Sequence, residues 1–282
     1  MPRNVSAARA GPRSAPRLLN CSLMPRFAAN LSFQFQDVPF LDRFAAAAAA
    51  GYRAVEFMFP YEHAPEVVAE RLTASSLENV LINMPPGDWA AGERGIACIP
   101  GREEEFRKGV ATAITYARAL KTPRVHAMAG LVPAGSTRAA CRDTYIANLR
   151  YAAEQLAAVN IILVIEPINT RDIPGFFLNT QAEAAEFCAA VGPNLRMQMD
   201  CYHIQVTEGD ITTKLKKYAD LCEHIQIAGV PARNEPDTGE VNYTYLFKVL
   251  DDIGYKGWIG CEYRPAGKTV DGLGWFKPWA AK

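Results

Sequence analysis

The chain has 282 residues, 49% hydrophobic and 21% charged, and its 30 basic and 30 acidic side chains cancel. Balanced charge gives no global field toward nucleic acid or an anionic membrane surface, and no uncharged apolar run reaches the ~18 residues of a membrane span. The expected partner is a small molecule met locally, and a homo-oligomer is compatible with these bounds.

The seven cysteines are scattered, odd in number and without a CxxC pair. That pattern argues against a disulfide framework and against a zinc knuckle, and favours reduced thiols in an intracellular compartment. Residues 1–25 read as an N-terminal extension outside the fold. Arg3, Arg9, Arg13 and Arg17 sit among Ala, Ser and Pro, with no acid before Asp37. Such a composition is that of an organelle transit peptide, although Pro2, Pro12 and Pro16 interrupt any amphipathic helix and Met24 offers a second start. The expectation is a cytoplasmic protein, with organellar targeting as the alternative if the extension works.

From Phe27 onward, strand-like and helix-like segments alternate. Phe27–Phe33 is a first strand, and the Ala-rich helix Val38–Ala50 after it stops at Gly51. Strands over Arg53–Phe57, Asn79–Asn83 and Arg124–Ala127 are each followed by a helix, over Pro65–Ser75, Arg102–Leu120 and Thr137–Ala158. Ile161–Glu166 is the fifth strand, with a helix from Thr180 to Val191 that Asn179 or Thr180 can cap. Leu195–Asp200, Glu223–Ala228 and Trp258–Glu262 complete the strands, with helices near Ile211–Tyr218, Tyr243–Ile253 and Gly272–Ala280. Eight β/α units over residues 26–282 fit a single (β/α)8 TIM barrel better than an open sheet. No GxGxxG or Walker-type loop follows the first strand, so neither a nucleotide site nor another organic cofactor is expected.

The last four strands each finish on an oxygen-bearing residue, Glu166, Asp200, Gln226 and Glu262, spaced 34, 26 and 36 residues apart. In a (β/α)8 barrel the C-terminal strand ends form the active face, so the four share one rim. Three carboxylates at one mouth repel each other unless a cation lies between them. Carboxylate and amide oxygens suit Mg2+ or Mn2+, and the lack of His and Cys in the set argues against zinc or copper. With a carbonyl polarised nearby, one glutamate can remove a proton from the adjacent carbon while the other returns one to its neighbour. That chemistry is aldose–ketose isomerisation through an enediolate.

Glu166-Pro167-Ile168-Asn169, Gln198-Met199-Asp200-Cys201-Tyr202-His203, His224-Ile225-Gln226-Ile227-Ala228, Asn234-Glu235-Pro236-Asp237-Thr238-Gly239-Glu240 and Gly260-Cys261-Glu262-Tyr263 resemble the hydroxypyruvate isomerase family of xylose-isomerase-like barrels. Ala29-Asn30-Leu31-Ser32 and Ile82-Asn83-Met84-Pro85-Pro86-Gly87-Asp88-Trp89 extend the resemblance over nearly all of the chain after Met24. The resemblance implies interconversion of hydroxypyruvate and 2-hydroxy-3-oxopropanoate, with Glu166 and Glu262 as proton donor and acceptor. It also implies a divalent-metal set of Glu166, Asp200, Gln226 and Glu262. Related barrels place a His where Gln226 stands, and an amide is the weaker ligand.

Around this set, His203 lies three residues after Asp200, placed either to touch a substrate oxygen or to hydrogen-bond a ligand residue. Arg233, in the loop after the seventh strand, can clamp a substrate carboxylate. His126 ends the fourth strand near the same mouth, Trp89 is a lid candidate, and His224 should lie one layer deeper with a structural role. Competing readings are a longer 2-oxo sugar acid such as an oxo-tetronate, ketose epimerisation, and a non-catalytic metabolite-binding barrel. DNA cleavage by a cluster of metals is disfavoured, because the chain has only four His and no net positive charge.

Overall fold

The computed structural model describes residues 25–280, so the transit-peptide expectation for the N-terminal extension lies outside the described residues. Eight parallel strands close in chain order: β1 (Arg26–Asn30), β2 (Ala54–Phe57), β3 (Glu78–Asn83), β4 (Arg124–His126), β5 (Ile162–Ile165), β6 (Leu195–Asp200), β7 (Cys222–Gln226) and β8 (Trp258–Cys261), which pairs back onto β1. The helices are α1 (Phe40–Ala49), α2 (Pro65–Ala74), α3 (Glu103–Ala119), α4 (Arg138–Ala157), α5 (Gln181–Val191), α6 (Cys201–Thr207), α7 (Ile211–Lys217) and α8 (Tyr243–Asp252). The protein is a single (β/α)8 barrel, as the alternation of elements implies.

Local sequence accounts for most boundaries. Helix α1 ends where Gly51 adopts φ +98°, a conformation that costs a residue without a Cβ little. Helix α5 starts in a capping box: Thr180 accepts from the Glu183 N–H, and the Glu183 carboxylate reaches back to the Thr180 N–H. The strands are short and almost wholly buried because helices cover their outer face, so they read as apolar runs. No helix of the described residues is long and apolar enough to cross a membrane. Six cysteines among the described residues are free thiols.

The structure differs from the sequence expectation at two helices and at several strand ends, with β1 closing at Asn30 instead of Phe33, β4 at His126 instead of Ala127 and β7 at Gln226 instead of Ala228. Strands β5 and β8 stop one residue before Glu166 and Glu262; after Glu166, Pro167 has no N–H to continue a ladder. The helix expected near Gly272–Ala280 does not form. A 3-10 turn at Thr269–Gly272 leads into further turns, consistent with Gly272, Gly274 and Pro278 in the segment. These turns lay Trp275, Phe276 and Trp279 edge-on around Phe27 of β1. Helix α6 was not expected, since its N-cap is Asp200, read from sequence only as the end of β6.

Candidate active site

Strand register brings the rim residues together. Asp200 pairs with Gln226 and Gln226 with Gly260, so the ends of β6, β7 and β8 are level, while Glu166 and Glu262 follow directly on β5 and β8. Glu166, Asp200, Gln226 and Glu262 are all buried, with exposures of 4%, 1%, 0% and 9%. Removing carboxylates from water is costly, so each must be neutralised, protonated or hydrogen-bonded.

Glu262 is hydrogen-bonded from three sides. Its Oε2 accepts from Asn30 Nδ2 at 2.9 Å and Gln226 Nε2 at 2.8 Å, and its Oε1 accepts from Arg233 Nη2 at 2.6 Å. Burial pushes the Glu262 pKa up to about 8, and the Arg233 charge and the Gln226 amide oppose that rise. Three donors, one of them a guanidinium, favour the ionised form against that burial.

Glu166 has the opposite surroundings. Its Oε1 is buried without a hydrogen-bond partner. His203 Nε2 lies 3.9 Å from that oxygen, and His126 Nδ1 lies 3.9 Å from the other. Burial first, then the charges of Glu262 and Asp200, push the Glu166 pKa well above the carboxylate range. Asp200 is divided between two tasks. Its Oδ1 caps α6 by accepting from Tyr202 N at 2.8 Å, whereas its Oδ2 is buried and unpartnered. Burial raises the Asp200 pKa to about 6 against the pull of Arg233.

His203, in the first turn of α6, receives the Asn169 amide at Nδ1, 2.6 Å away. The Asn169 Oδ1 accepts from Asp172 N at 2.8 Å, which turns the amide nitrogen toward the ring. Arg233 Nη2, which can only donate, lies 3.3 Å from Nε2, so donors face both ring nitrogens. Burial, then the Arg233 charge, lowers the His203 pKa well below its usual value, so the ring is neutral. Arg233 lies between Phe33 and Tyr202, its guanidinium carbon 5.1 and 4.9 Å from the two ring centres. Its backbone adopts φ +59°, a left-handed conformation that non-glycine residues rarely adopt outside functional or tightly held positions. Burial alone would lower its pKa, but Glu262, Asp200, Glu166 and Asp172 together raise it. Its Nε–H is buried and unpartnered.

Gln226 reaches the centre through nitrogen. Its Nε2 faces Glu262 and Glu56, and its Oε1 accepts from Gln198 Nε2 at 2.6 Å. The sequence reading placed it in a ligand set through oxygen. Among carboxylate and imidazole groups, Glu166, Asp200 and His203 form a tight cluster whose ligand atoms lie within 4.8 Å of one another. Two buried carboxylate oxygens with no partner suit a hard divalent cation, so these residues could hold a metal ion.

The structure also adds residues the sequence reading did not select. Glu56 on β2, a charged residue within Ala54-Val55-Glu56-Phe57, is fully buried beneath Glu262. Its position amid apolar neighbours was the available signal. His224 lies one layer below the rim, with Nε2 2.6 Å from Glu56 Oε2. His126 is 1% exposed with neither ring nitrogen partnered, and burial followed by the nearby His224 lowers its pKa to about 3. Trp89 is partly exposed at the rim, 5.0 Å from Phe59 and under Arg94. A cavity of about 630 Å³ lined by Arg26, Glu78, Arg124 and Lys256 lies at the opposite, N-terminal pole. None of the rim residues lines it.

A family model described as a xylose isomerase-like TIM barrel matches residues 44–279. The chain belongs to that family. It is 56% identical over 260 residues to the 2-oxo-tetronate isomerase of Cupriavidus necator, covering 92% of this chain and all of that one. The hydroxypyruvate isomerase of Escherichia coli is 51% identical over 257 residues, covering 91% and 100%. A solved structure from Brucella melitensis, described as an AP endonuclease of family 2, superposes with TM-score 0.90 at 52% identity, covering 92% and 100%. The 3-keto-D-glucoside 4-epimerase of Escherichia coli shares the fold at TM-score 0.74 and 18% identity, covering 90% and 99%. With such relatives over nearly the whole barrel, this family member is an isomerase.

Proposed function

We propose that the protein isomerises short 2-oxo acids bearing a hydroxyl on C3, with hydroxypyruvate and 2-hydroxy-3-oxopropanoate as the leading pair. The observation that carries this reading is the unequal treatment of two buried glutamates, one hydrogen-bonded from three sides and one with a buried oxygen, Oε1, that receives no hydrogen bond. Environments that push paired carboxyl groups apart assign base and acid. Glu262 removes a proton from C3, and the electron pair spreads over O3, C3, C2 and O2 as an enediolate. Glu166, protonated, delivers a proton to C2. The hydroxyl proton passes from O3 to O2, beside the neutral His203 ring. In the reverse direction the two glutamates exchange roles.

Arg233 supports an anionic substrate: it retains an unpartnered Nε–H for a carboxylate beside Glu262. Glu166 and Asp200 would hold a divalent cation such as Mg2+ or Mn2+, which when bound would neutralise the carboxylates and polarise substrate oxygens. A site this buried and acidic disfavours a nucleic-acid backbone, whose phosphates would meet Glu166, Asp200 and Glu262 first.

The 2-oxo-tetronates present the same C2–C3 unit with one further hydroxymethyl group, and two similar relatives divide between the two substrates by name. Proton NMR of each acid incubated with the protein, with and without added Mg2+, tests the proposal. Enzyme-dependent appearance of the isomer from at least one acid is expected. No conversion of either, with the metal supplied, would contradict it.

A further inference from the structure

Glu56 is a fully buried carboxylate that the proposed proton transfer does not use. Its Oε2 lies 2.6 Å from His224 Nε2, and its Oε1 accepts from Asn30 Nδ2 at 2.9 Å and Gln226 Nε2 at 2.7 Å. The same two amide nitrogens donate to Glu262 Oε2, at 2.9 and 2.8 Å. Each NH2 group thus spends both hydrogens between two carboxylates, one deep and one at the rim. The Gln226 carbonyl is held away by Gln198.

Space has been left for this arrangement. Glu56 stands on β2, and its partners His224 and Gln226 stand on β7, so its side chain spans β1 and β8 inside the barrel. Residue 260 of β8 is Gly, and a Cβ there would lie 2.3 to 2.6 Å from the Glu56 carboxyl atoms. An apolar side chain would fill this volume without the desolvation cost of an ion, so packing does not explain a carboxylate here.

We infer that Glu56 is a positioning residue for Glu262. A carboxylate can only accept, so it compels Asn30 and Gln226 to turn their NH2 groups inward, and the second hydrogen of each then lands on Glu262. A glutamine at position 56 could itself donate. The inward turn of the two amides would then rest on the Ser32 N–H donated to Asn30 Oδ1 and the Gln198 amide donated to Gln226 Oε1, and their hold on Glu262 would loosen. The inference rests on the proposed role of Glu262 in proton transfer.

The test is a double-substitution cycle on the full chain with Glu56→Gln and Gln226→Met, read by NMR turnover. Glu56→Gln should lower kcat about 10- to 100-fold, as losses of groups that orient an active residue do, with KM within about 2-fold. Acting through one bridge, the pair should lose little more than the worse single variant. Thermal melting reports folding. If Glu56→Gln does not fold, Glu56→Asp, which keeps the charge but withdraws it from the two amides, should show the same kcat-only loss. A folded variant with wild-type kcat, a loss confined to KM, or fully multiplicative losses would overturn the role of Glu56 while leaving the isomerase reading intact. A wild-type protein that turns over neither acid overturns both.

Discussion

At the scale of single residues, the site is defined by which polar atoms have partners and which do not. Glu262 has three donors, whereas Glu166 Oε1, Asp200 Oδ2, both nitrogens of His126 and Arg233 Nε are buried with none. Buried polar groups are usually satisfied, so a convergence of unsatisfied atoms at one rim marks where a ligand completes the bonding. The cation fit turns on Asp200 and Glu166, and it leads to a test independent of turnover. Asp200→Asn should weaken Mn2+ binding at least about 10-fold by calorimetry, while Gln226→Leu, which removes an inward-facing nitrogen, should leave it within about 2-fold. The reverse ranking would make Gln226 an oxygen ligand. Sequence made the four strand-end residues visible because each closes an apolar run. It hid the orientation of Gln226, because an amide offers either atom and partners on other strands decide which: Glu262, Gln198 and Glu56, the last 170 residues away along the chain.

At the scale of elements, the legible features were those set by local chemistry. Gly51 ends α1, Thr180 and Glu183 start α5, and the strand spacing follows from units that each bury one apolar face. The missing C-terminal helix and the extra α6 were illegible for the same reason: tertiary contacts override propensity. Aromatic packing around Phe27 recruits Trp275, Phe276 and Trp279, and Asp200 caps α6 while serving the rim. The loop after β3 carries its own electrostatic tie. Glu93 accepts from Arg102 Nη1 at 2.6 Å and from Asp88 N at 2.5 Å, and the Arg102 hydrogen bond lowers its pKa. A depressed carboxylate pKa contributes stability above the unfolded value of about 4.3, and that stability is lost as pH falls through the folded value. The fluorescence of Trp89, taken as the difference between wild type and Trp89→Phe, should therefore shift below about pH 4. In a Glu93→Gln background the shifted signal should already be present at pH 7; an unchanged signal there would remove Glu93 as the tie.

At the scale of the molecule, closure of the barrel converts four periodic residues into one buried, acidic centre. The balanced net charge of the chain conceals this local excess: Glu166, Asp200, Asp172 and Glu262 surround Arg233, and Glu56 adds its charge at Glu262. The single (β/α)8 architecture was legible because eight similar units leave few alternatives. The cross-barrel bonds from β2 to β7 were not, because they depend on side-chain reach between strands distant in sequence. The central claim is that Glu262 removes the C3 proton and Glu166 delivers its own proton to C2. It is tested most directly by proton NMR of hydroxypyruvate in D2O with Glu166→Gln and Glu262→Gln. Glu166→Gln should exchange the C3 protons for deuterium yet form little isomer, and Glu262→Gln should do neither while remaining folded. Isomer formation at a near wild-type rate by either protein would contradict the account.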